Sequence, residues 1–330
     1  MTASPETASV AHAQGRRLPD FFIVGHAKSG TTALYEMLRR HPQIFMPELK
    51  EPMFFARNPG AGTRFEQTGN RTETLEQYLA LFAGAGAEQL AGEASTFYLW
   101  SALAPPRIAQ LQPDARIIAI LREPASFLHS LHLQAVQNGA ETERDLRKAL
   151  ALEDARRRGR EIPAAAHWPA ALIYSDRVRY VEQLRRYGEL FAPEQMLVLI
   201  YDDFSSDNEA TIRRVLRFLG VDDGVPLELV RANRSVAVRS VRLDRIVRAL
   251  RGGRGPLSGA LRKTVRGVTT QESRTRLLHP LRGRMLYGAP KPSDEELVRE
   301  LRIRFRPEVL ALGDYLGRDL ASLWGYDDLD

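Results

Sequence analysis

The sequence predicts an α/β fold, a single domain in which helices flank a central parallel β-sheet. Three observations carry this expectation. Short apolar runs alternate with helical patterns from Phe21 to about Leu219. The run Arg116–Leu121, RIIAIL, is continuous and rich in β-branched residues, as a strand covered on both faces should be. The stretch Phe21–Thr32, FFIVGHAKSGTT, passes from an apolar run through a glycine-bounded loop into a helical pattern. Strands separated by helices imply right-handed crossovers.

The elements follow in order. Residues 1–18 read as a disordered tail, because Met1 to about Arg17 is small and polar without periodicity. The remaining 19–330 is expected to form the domain. Strands are predicted at Phe21–Val24, Gln89–Ala91, Arg116–Leu121 and Met196–Tyr201. Helical patterns cover Thr31–Arg40, Thr72–Phe82, Pro106–Leu111, Ala125–Gln137, Thr142–Arg158, Ala170–Tyr187 and Asp207–Leu219. After Gly224 no convincing strand follows. A helix over Asp294–Phe305 should open with a capping box, Ser293 to Glu296. A second helix is expected at Pro307–Leu316, with Gly317 as its stop.

Composition narrows the class. Of 330 residues, 44% are hydrophobic and 27% charged, ordinary values for a globular chain. Cysteine is absent, which excludes disulfides and thiolate metal sites. The N-terminus has no apolar leader region, and the apolar runs are far too short to span a bilayer, so a cytoplasmic protein without a membrane segment is expected. The net charge of +6 is unevenly placed. Gly252–Pro292 holds nine Lys/Arg and one acid, Glu272, so the rest of the chain is close to neutral. A nucleic-acid binder would carry a broader basic face. The segment 252–292 reads as either a solvated loop or a mobile lid over an anionic ligand.

Three constellations carry chemistry. The first is Lys28, Ser29, Gly30, Thr31 and Thr32. A glycine-bounded loop at a helix start points N–H groups at one spot, and the helix dipole favours an anion there. The Walker A pattern would put lysine at Thr31; here the lysine is Lys28, inside the loop. Lys28 can neutralise charge on a leaving phosphate. The second is Arg122-Glu123-Pro124, at the carboxyl end of a predicted strand, with Ser126, His129 and Ser130 on the following helix. An Arg fork with a Ser hydroxyl makes a second phosphate site, unless Arg122 and Glu123 are only a surface pair and cap. The third is Lys50-Glu51-Pro52-Met53-Phe54-Phe55. Apolar neighbours would raise the proton affinity of Glu51 and suit it to act as a general base, unless it is a surface ion pair beside core aromatics. A Walker B strand should end in an acid that holds Mg²⁺. RIIAIL ends in Arg122, whereas Met196–Tyr201 leads into Asp202-Asp203, which leaves one metal-binding alternative open.

Together these motifs resemble those of sulfotransferases that use 3′-phosphoadenosine-5′-phosphosulfate (PAPS), in particular the bacterial branch related to the heparan and carbohydrate enzymes. Gly25, Lys28, Ser29, Gly30, Thr31 and Thr32 are similar to that family's phosphosulfate loop, and Arg122 with Ser130 to its 3′-phosphate motif. Lys50, Glu51, Phe54 and Phe55 resemble the segment that supplies the catalytic carboxylate. Gly92-Glu93-Ala94-Ser95 with Tyr98 resembles a site-lining segment. Asn233 and Arg239-Ser240 resemble the later loop that returns to the 3′-phosphate. Tyr201-Asp202-Asp203-Phe204 resembles a structural strand end. Ala94 stands where the Golgi enzymes carry a lysine, and no Lys-x-His lies near Glu93.

The resemblance implies a P-loop-like PAPS-binding fold and in-line sulfuryl transfer to an acceptor hydroxyl, less readily an amine, of a small metabolite, lipid or glycan. PAPS would be co-substrate and 3′-phosphoadenosine-5′-phosphate (PAP) the product, with no metal required. Catalysis would rest on Glu51 and Lys28, and donor binding on Lys28, Ser29, Gly30, Thr31, Thr32, Arg122, Ser130, Arg239 and Ser240. Two other readings stay open: a P-loop kinase using Mg-ATP, and a non-catalytic binder of anionic polymers through the basic segment. Acceptor-facing loops are expected around Asn58–Arg71, Ala140–Trp168 and Gly252–Pro292, where Phe65, Trp168 and Tyr287 either stack on an acceptor or pack locally.

Overall fold

The computed structural model describes residues 16–57, 72, 74–230, 237–238, 287–288, 294–327 and 329. The expected tail therefore lies almost wholly outside the described residues. Contacts divide the chain into two units. One is Met1–Asn233 with Glu295–Asp330, and the other is Arg234–Asp294.

The first unit is built on a five-stranded, wholly parallel sheet in the order β2-β3-β1-β4-β5. The strands are β1 (Phe21–Gly25), β2 (Ile44–Phe45), β3 (Leu90–Ala94), β4 (Arg116–Leu121) and β5 (Met196–Ile200). Alternation along β1 and β4 sends side chains to two cores. Phe22, Val24, Ile117, Ala119 and Leu121 face one. Phe21, Ile23, Ile118 and Ile120 face the other. This is why β1 and β4 read as unbroken apolar runs rather than alternating ones.

Helices α1 (Thr31–Arg39) and α9 (Asn208–Leu219) cover the second core with Leu34, Met37, Ile212 and Leu216. The first core is covered by α4 (Pro124–Asn138), α7 (Tyr180–Gly188) and α10 (Glu295–Leu316). The chain leaves β1 for β2 and β3 on one side, and β4 and β5 lie on the other. That reversal opens a crevice at the carboxyl ends of β1 and β4.

Several boundaries differ from expectation. Two-residue β2 is too short to leave a sequence pattern. The pattern Thr72–Phe82 yields α2 (Leu75–Ala80), opened by a capping box between Thr74 and Gln77. Helix α3 spans Ala104–Leu111. Thr142–Arg158 is two helices, α5 (Leu146–Ala151) and α6 (Glu153–Arg157), because Asp145 caps Lys148 N–H and starts the first of them late. Ala170–Tyr187 begins as 3₁₀ turns over Pro169–Leu172 and Tyr174–Val178 and becomes α-helical only at Tyr180. Tyr201 starts α8 (Tyr201–Ser206) instead of ending β5.

The two C-terminal helices expected at Asp294–Phe305 and Pro307–Leu316 are one helix, α10, with Pro307 inside it. The bond Pro307 forfeits is to the carbonyl of Ile303, which is 47% exposed, while Leu301, Phe305, Val309 and Leu312 anchor the opposite face. Gly317 follows at φ 62° and stops it, and α11 (Leu320–Trp324) was not anticipated. The proposed cap residue Ser293 lies outside the described residues. In the second unit, Ala237–Val238 (β6) pairs antiparallel with Tyr287–Gly288 (β7), where no strand was expected. The rest of the basic segment 252–292 lies outside the described residues. Among the described residues, no helix is long and apolar enough to cross a membrane.

Candidate active site

The loop between β1 and α1 closes over the crevice. A Cβ on Gly25 would stand 2.8 Å from Leu99 Cβ and 3.3 Å from Thr96 O, so the loop can leave the sheet only through glycine. Gly30 holds φ +88°, and a Cβ there would strike the Phe204 ring at 2.8 Å. Gly30 is the N-cap of α1 and no side chain caps that helix, so its first-turn N–H groups remain available to a ligand. Ser29 is fully buried, and its hydroxyl has no partner among the described residues. Thr31 is buried in the first turn and Thr32 is exposed beside it.

Beneath this loop His26 is fully buried, and its Nε2 donates to Gln183 Oε1 at 2.7 Å. Gln183 spends its amide N–H groups on the carbonyls of Asp176 and Arg177, which fixes its oxygen toward the imidazole. Burial, aided by the nearby Arg177 charge, drives the His26 pKa down to about 3. His26 is therefore a neutral strut between β1 and α7.

Lys28 lies over the same crevice. Burial, and then the charge of Arg122, pull its pKa below the usual lysine value. Arg122, at the end of β4, donates through Nη1 to Lys28 O and to Ser130 Oγ, each at 3.1 Å. Its guanidinium carbon stands 4.8 Å from the centre of the Tyr201 ring. Tyr180 OH donates to Arg122 O at 2.9 Å. Glu123 does not pair with Arg122. It is buried, caps α4 through Ala125 and Ser126 N–H, and accepts from Tyr326 OH at 2.7 Å. Neither Lys28 nor Arg122 has a carboxylate partner among the described residues, so two cations face one crevice uncompensated.

Glu51 occupies the adjoining loop. Its N–H donates to Ala94 O at 3.0 Å, which ties the loop to the end of β3. Lys50 Nζ contacts Glu51 Oε1 at 2.8 Å, and Thr96 Oγ1 lies 3.4 Å from the same oxygen. The apolar enclosure expected around this carboxylate is instead a polar contact set, with the side chain 32% exposed. Met53 N donates to Ser95 Oγ at 3.0 Å, and Phe55 N to Tyr98 OH at 3.3 Å. These bonds lock Glu51 and Met53, which adopt φ of 60° and 53°, against the segment after β3.

The structure thus gathers Lys28, Ser29, Gly30, Thr31, Thr32, Arg122 and Ser130 around one crevice, with Glu51 on the next loop. Asn233, Arg239 and Ser240 lie outside the described residues. Sequence reasoning assigned no chemistry to Glu93, which is fully buried with Tyr78 OH donating to Oε2 at 2.8 Å. Burial raises its pKa to about 7, opposed by nearby hydroxyls. It also missed Arg177, fully buried against Phe97 and Trp100 with no hydrogen bond to its guanidinium among the described residues. No sequence signal separates a buried arginine from a surface one. Asp202 and Asp203, left open as metal ligands, are engaged elsewhere. Asp202 accepts from Trp324 Nε1 at 2.9 Å and Asp203 takes a forked contact from Arg318. No group of three or more metal-ligating side chains occurs among the described residues.

A family model described as "Sulfotransferase family" matches residues 19–224. This chain is a member of the sulfotransferase family. A solved sulfotransferase from Alicyclobacillus acidocaldarius superposes with a TM-score of 0.66 at 26% identity, covering 93% of this chain and 99% of that one. Carbohydrate sulfotransferase 15 of Mus musculus is 27% identical over 266 residues, covering 64% of this chain and 46% of that protein. Bifunctional heparan sulfate N-deacetylase/N-sulfotransferase 4 of Mus musculus is 28% identical over 212 residues, covering 62% of this chain and 22% of that protein. This sulfotransferase thus spans less than half the length of those curated relatives. The parallel sheet with helices on both faces, expected from the sequence, is the family's fold.

Proposed function

We propose that this sulfotransferase moves the sulfuryl group of PAPS to an acceptor hydroxyl and releases PAP. The observation that carries the reading is the Arg122 fork, which joins the carbonyl of Lys28 to the hydroxyl of Ser130. On this reading Lys28 would meet the 5′-phosphosulfate, and Arg122 with Ser130 the 3′-phosphate. A donor with phosphates at both ends of its ribose suits two such positions. The orphan Ser29 hydroxyl and the uncapped start of α1 both favour an anion here.

In the proposed reaction the acceptor oxygen forms a bond to sulfur as the sulfur–oxygen bond to the 5′-phosphate breaks, in line. The acceptor proton passes to Glu51, and the electron pair leaves with the phosphate. Lys28 and the first-turn N–H groups of α1 meet that growing charge. In this role Glu51 would need to reach only the acceptor hydroxyl, and its loop is tied to the end of β3 through Ala94 and Ser95.

Calorimetric titration with PAP, repeated with 5′-ADP and with EDTA, tests the reading. Tight binding that needs the 3′-phosphate and ignores chelator supports it. Preference for 5′-ADP with Mg²⁺ transfers the site to the kinase reading.

A further inference from the structure

Beside the catalytic loops lies a cleft of about 550 Å³, within the range of roughly 300–1,000 Å³ that ligand pockets occupy. Its walls come from three places: Ala56 and Arg57, Trp100 to Leu103, and Trp168 with the adjoining face of α7. Two of these walls continue from the Glu51 neighbourhood. Glu51 and Thr96 touch at 3.4 Å. The chain running on from Glu51 reaches the cleft at Ala56 and Arg57, and the chain running on from Thr96 reaches it at Trp100.

The cleft is built for a flat apolar body. Trp168 stacks on Phe97 with ring centres 4.8 Å apart and planes 5° from parallel, and meets Trp100 edge-on at 5.7 Å. Both tryptophans are only partly buried and line the opening. Such rings offer a broad, rigid surface at low entropic cost. Neither was assigned a role in the transfer chemistry.

Among the described residues, the charge around the cleft is positive in excess. The two acids in its wall are already paired: Asp176 with Arg157 at 2.8 Å and Glu182 with Arg179 at 3.1 Å. Among the described residues, Arg57 and Arg186 bond to backbone carbonyls, those of Thr72 and Trp100, at 2.6 and 3.2 Å. Behind the wall, the guanidinium carbon of Arg177 stands 4.6 Å from the Trp100 ring centre and 4.7 Å from that of Phe97. It has no hydrogen-bond partner among the described residues, and burial leaves its pKa at about 9, so it stays cationic at neutral pH. Three cations with no carboxylate partner among the described residues therefore surround one aromatic cleft, where low polarity strengthens their field.

We propose that this cleft binds a flat, apolar molecule carrying an acidic group. On the sulfotransferase reading, on which this assignment to the reaction rests, that molecule is the non-reacting part of the acceptor. The body would stack on Trp100 and Trp168, and the acid would meet Arg57 and Arg186. Its hydroxyl would then be directed along the converging loops toward Glu51. The acceptor class is thereby narrowed to acidic aromatic or similarly flat compounds.

Calorimetry with three matched probes tests this: naphthalene-2-sulfonate, neutral 2-methoxynaphthalene and cationic 2-naphthylmethylammonium. The expected order is anion, neutral, cation, with the anion ahead of the cation by about tenfold or more. Trp168→Ala should weaken all three, by about tenfold for the anion. Arg57→Gln and Arg186→Gln should lower the anion toward the neutral probe and leave the neutral probe in place. PAP is titrated into each variant to verify the fold. Equal affinity for the three probes, no binding at millimolar concentration, or indifference to these substitutions in protein that still binds PAP would overturn the proposal. Selective probe binding in protein that fails to bind PAP would uphold the cleft and remove only the proposed transfer from PAPS.

Discussion

Arg122 Nη1 donates to the main-chain oxygen of Lys28 at 3.1 Å, so the arginine after one strand holds the lysine-bearing loop after the next. The same nitrogen reaches Ser130. Arg122→Ala should therefore cost more than one ligand contact. A hydrogen bond to a charged group is worth about 1.5–3 kcal/mol, so PAP affinity should fall by about 10- to 100-fold. Affinity for 5′-AMP should fall less, through the loosened Lys28 loop alone. Calorimetry on both nucleotides decides it: equal losses would strip Arg122 of the 3′-phosphate assignment.

Glu51→Gln keeps the loop's backbone bond to Ala94 and removes the proton acceptor. PAP binding should be unchanged, and turnover should drop by about 10²- to 10⁴-fold. The assay is release of PAP with any acceptor that supports turnover. An unaltered rate would show that the proton goes elsewhere.

Glu93 and His26 pull stability in opposite directions with pH. Glu93 has a folded pKa of about 7 against the ordinary 4.5, so the folded protein binds the extra proton. Its contribution is full below pH 4.5 and is lost as pH rises to 7 and beyond. His26 has a folded pKa of about 3 against 6.5, so the unfolded chain binds the extra proton. Its neutral ring costs stability as pH falls from 6.5 toward 3. Glu93→Gln should flatten the decline above pH 5 and leave the acid limb unchanged. Urea midpoints across pH 4–8 measure this, and an unchanged profile would place the Glu93 proton outside the folding equilibrium.

Gln183→Leu removes the acceptor for His26 Nε2 in a site with no solvent. An unsatisfied buried polar group costs about 1–3 kcal/mol, and the melting point should fall accordingly. Because His26 underlies the Lys28 loop, PAP affinity should fall as well. Lower stability with unchanged PAP affinity would show that the strut serves α7 alone.

The fold was legible because its evidence is local. β1 and β4 announce themselves by continuous apolar runs, and the Lys28 loop by glycines with one spacing. Arg122 and Ser130 were legible for the same reason, since one strand end and one helix face fix their separation. What escaped the sequence depends on distant partners. The polar setting of Glu51 comes from Thr96, the state of Glu93 from Tyr78 and burial, and the solitary charge of Arg177 from where the turns after Trp168 settle. The unbroken α10 escaped because a proline stops a helix on propensity alone. Four apolar residues on its other face override that preference.

The helices α10 and α11 reach back to Glu123, Asp202 and Asp203 through Tyr326, Trp324 and Arg318. Every donor lies beyond residue 224, where the family match ends. A ribosome delivers Lys28 early and Tyr326 far later. The bonds to Glu123, Asp202 and Asp203 therefore form only after every strand of the five-stranded sheet has been made.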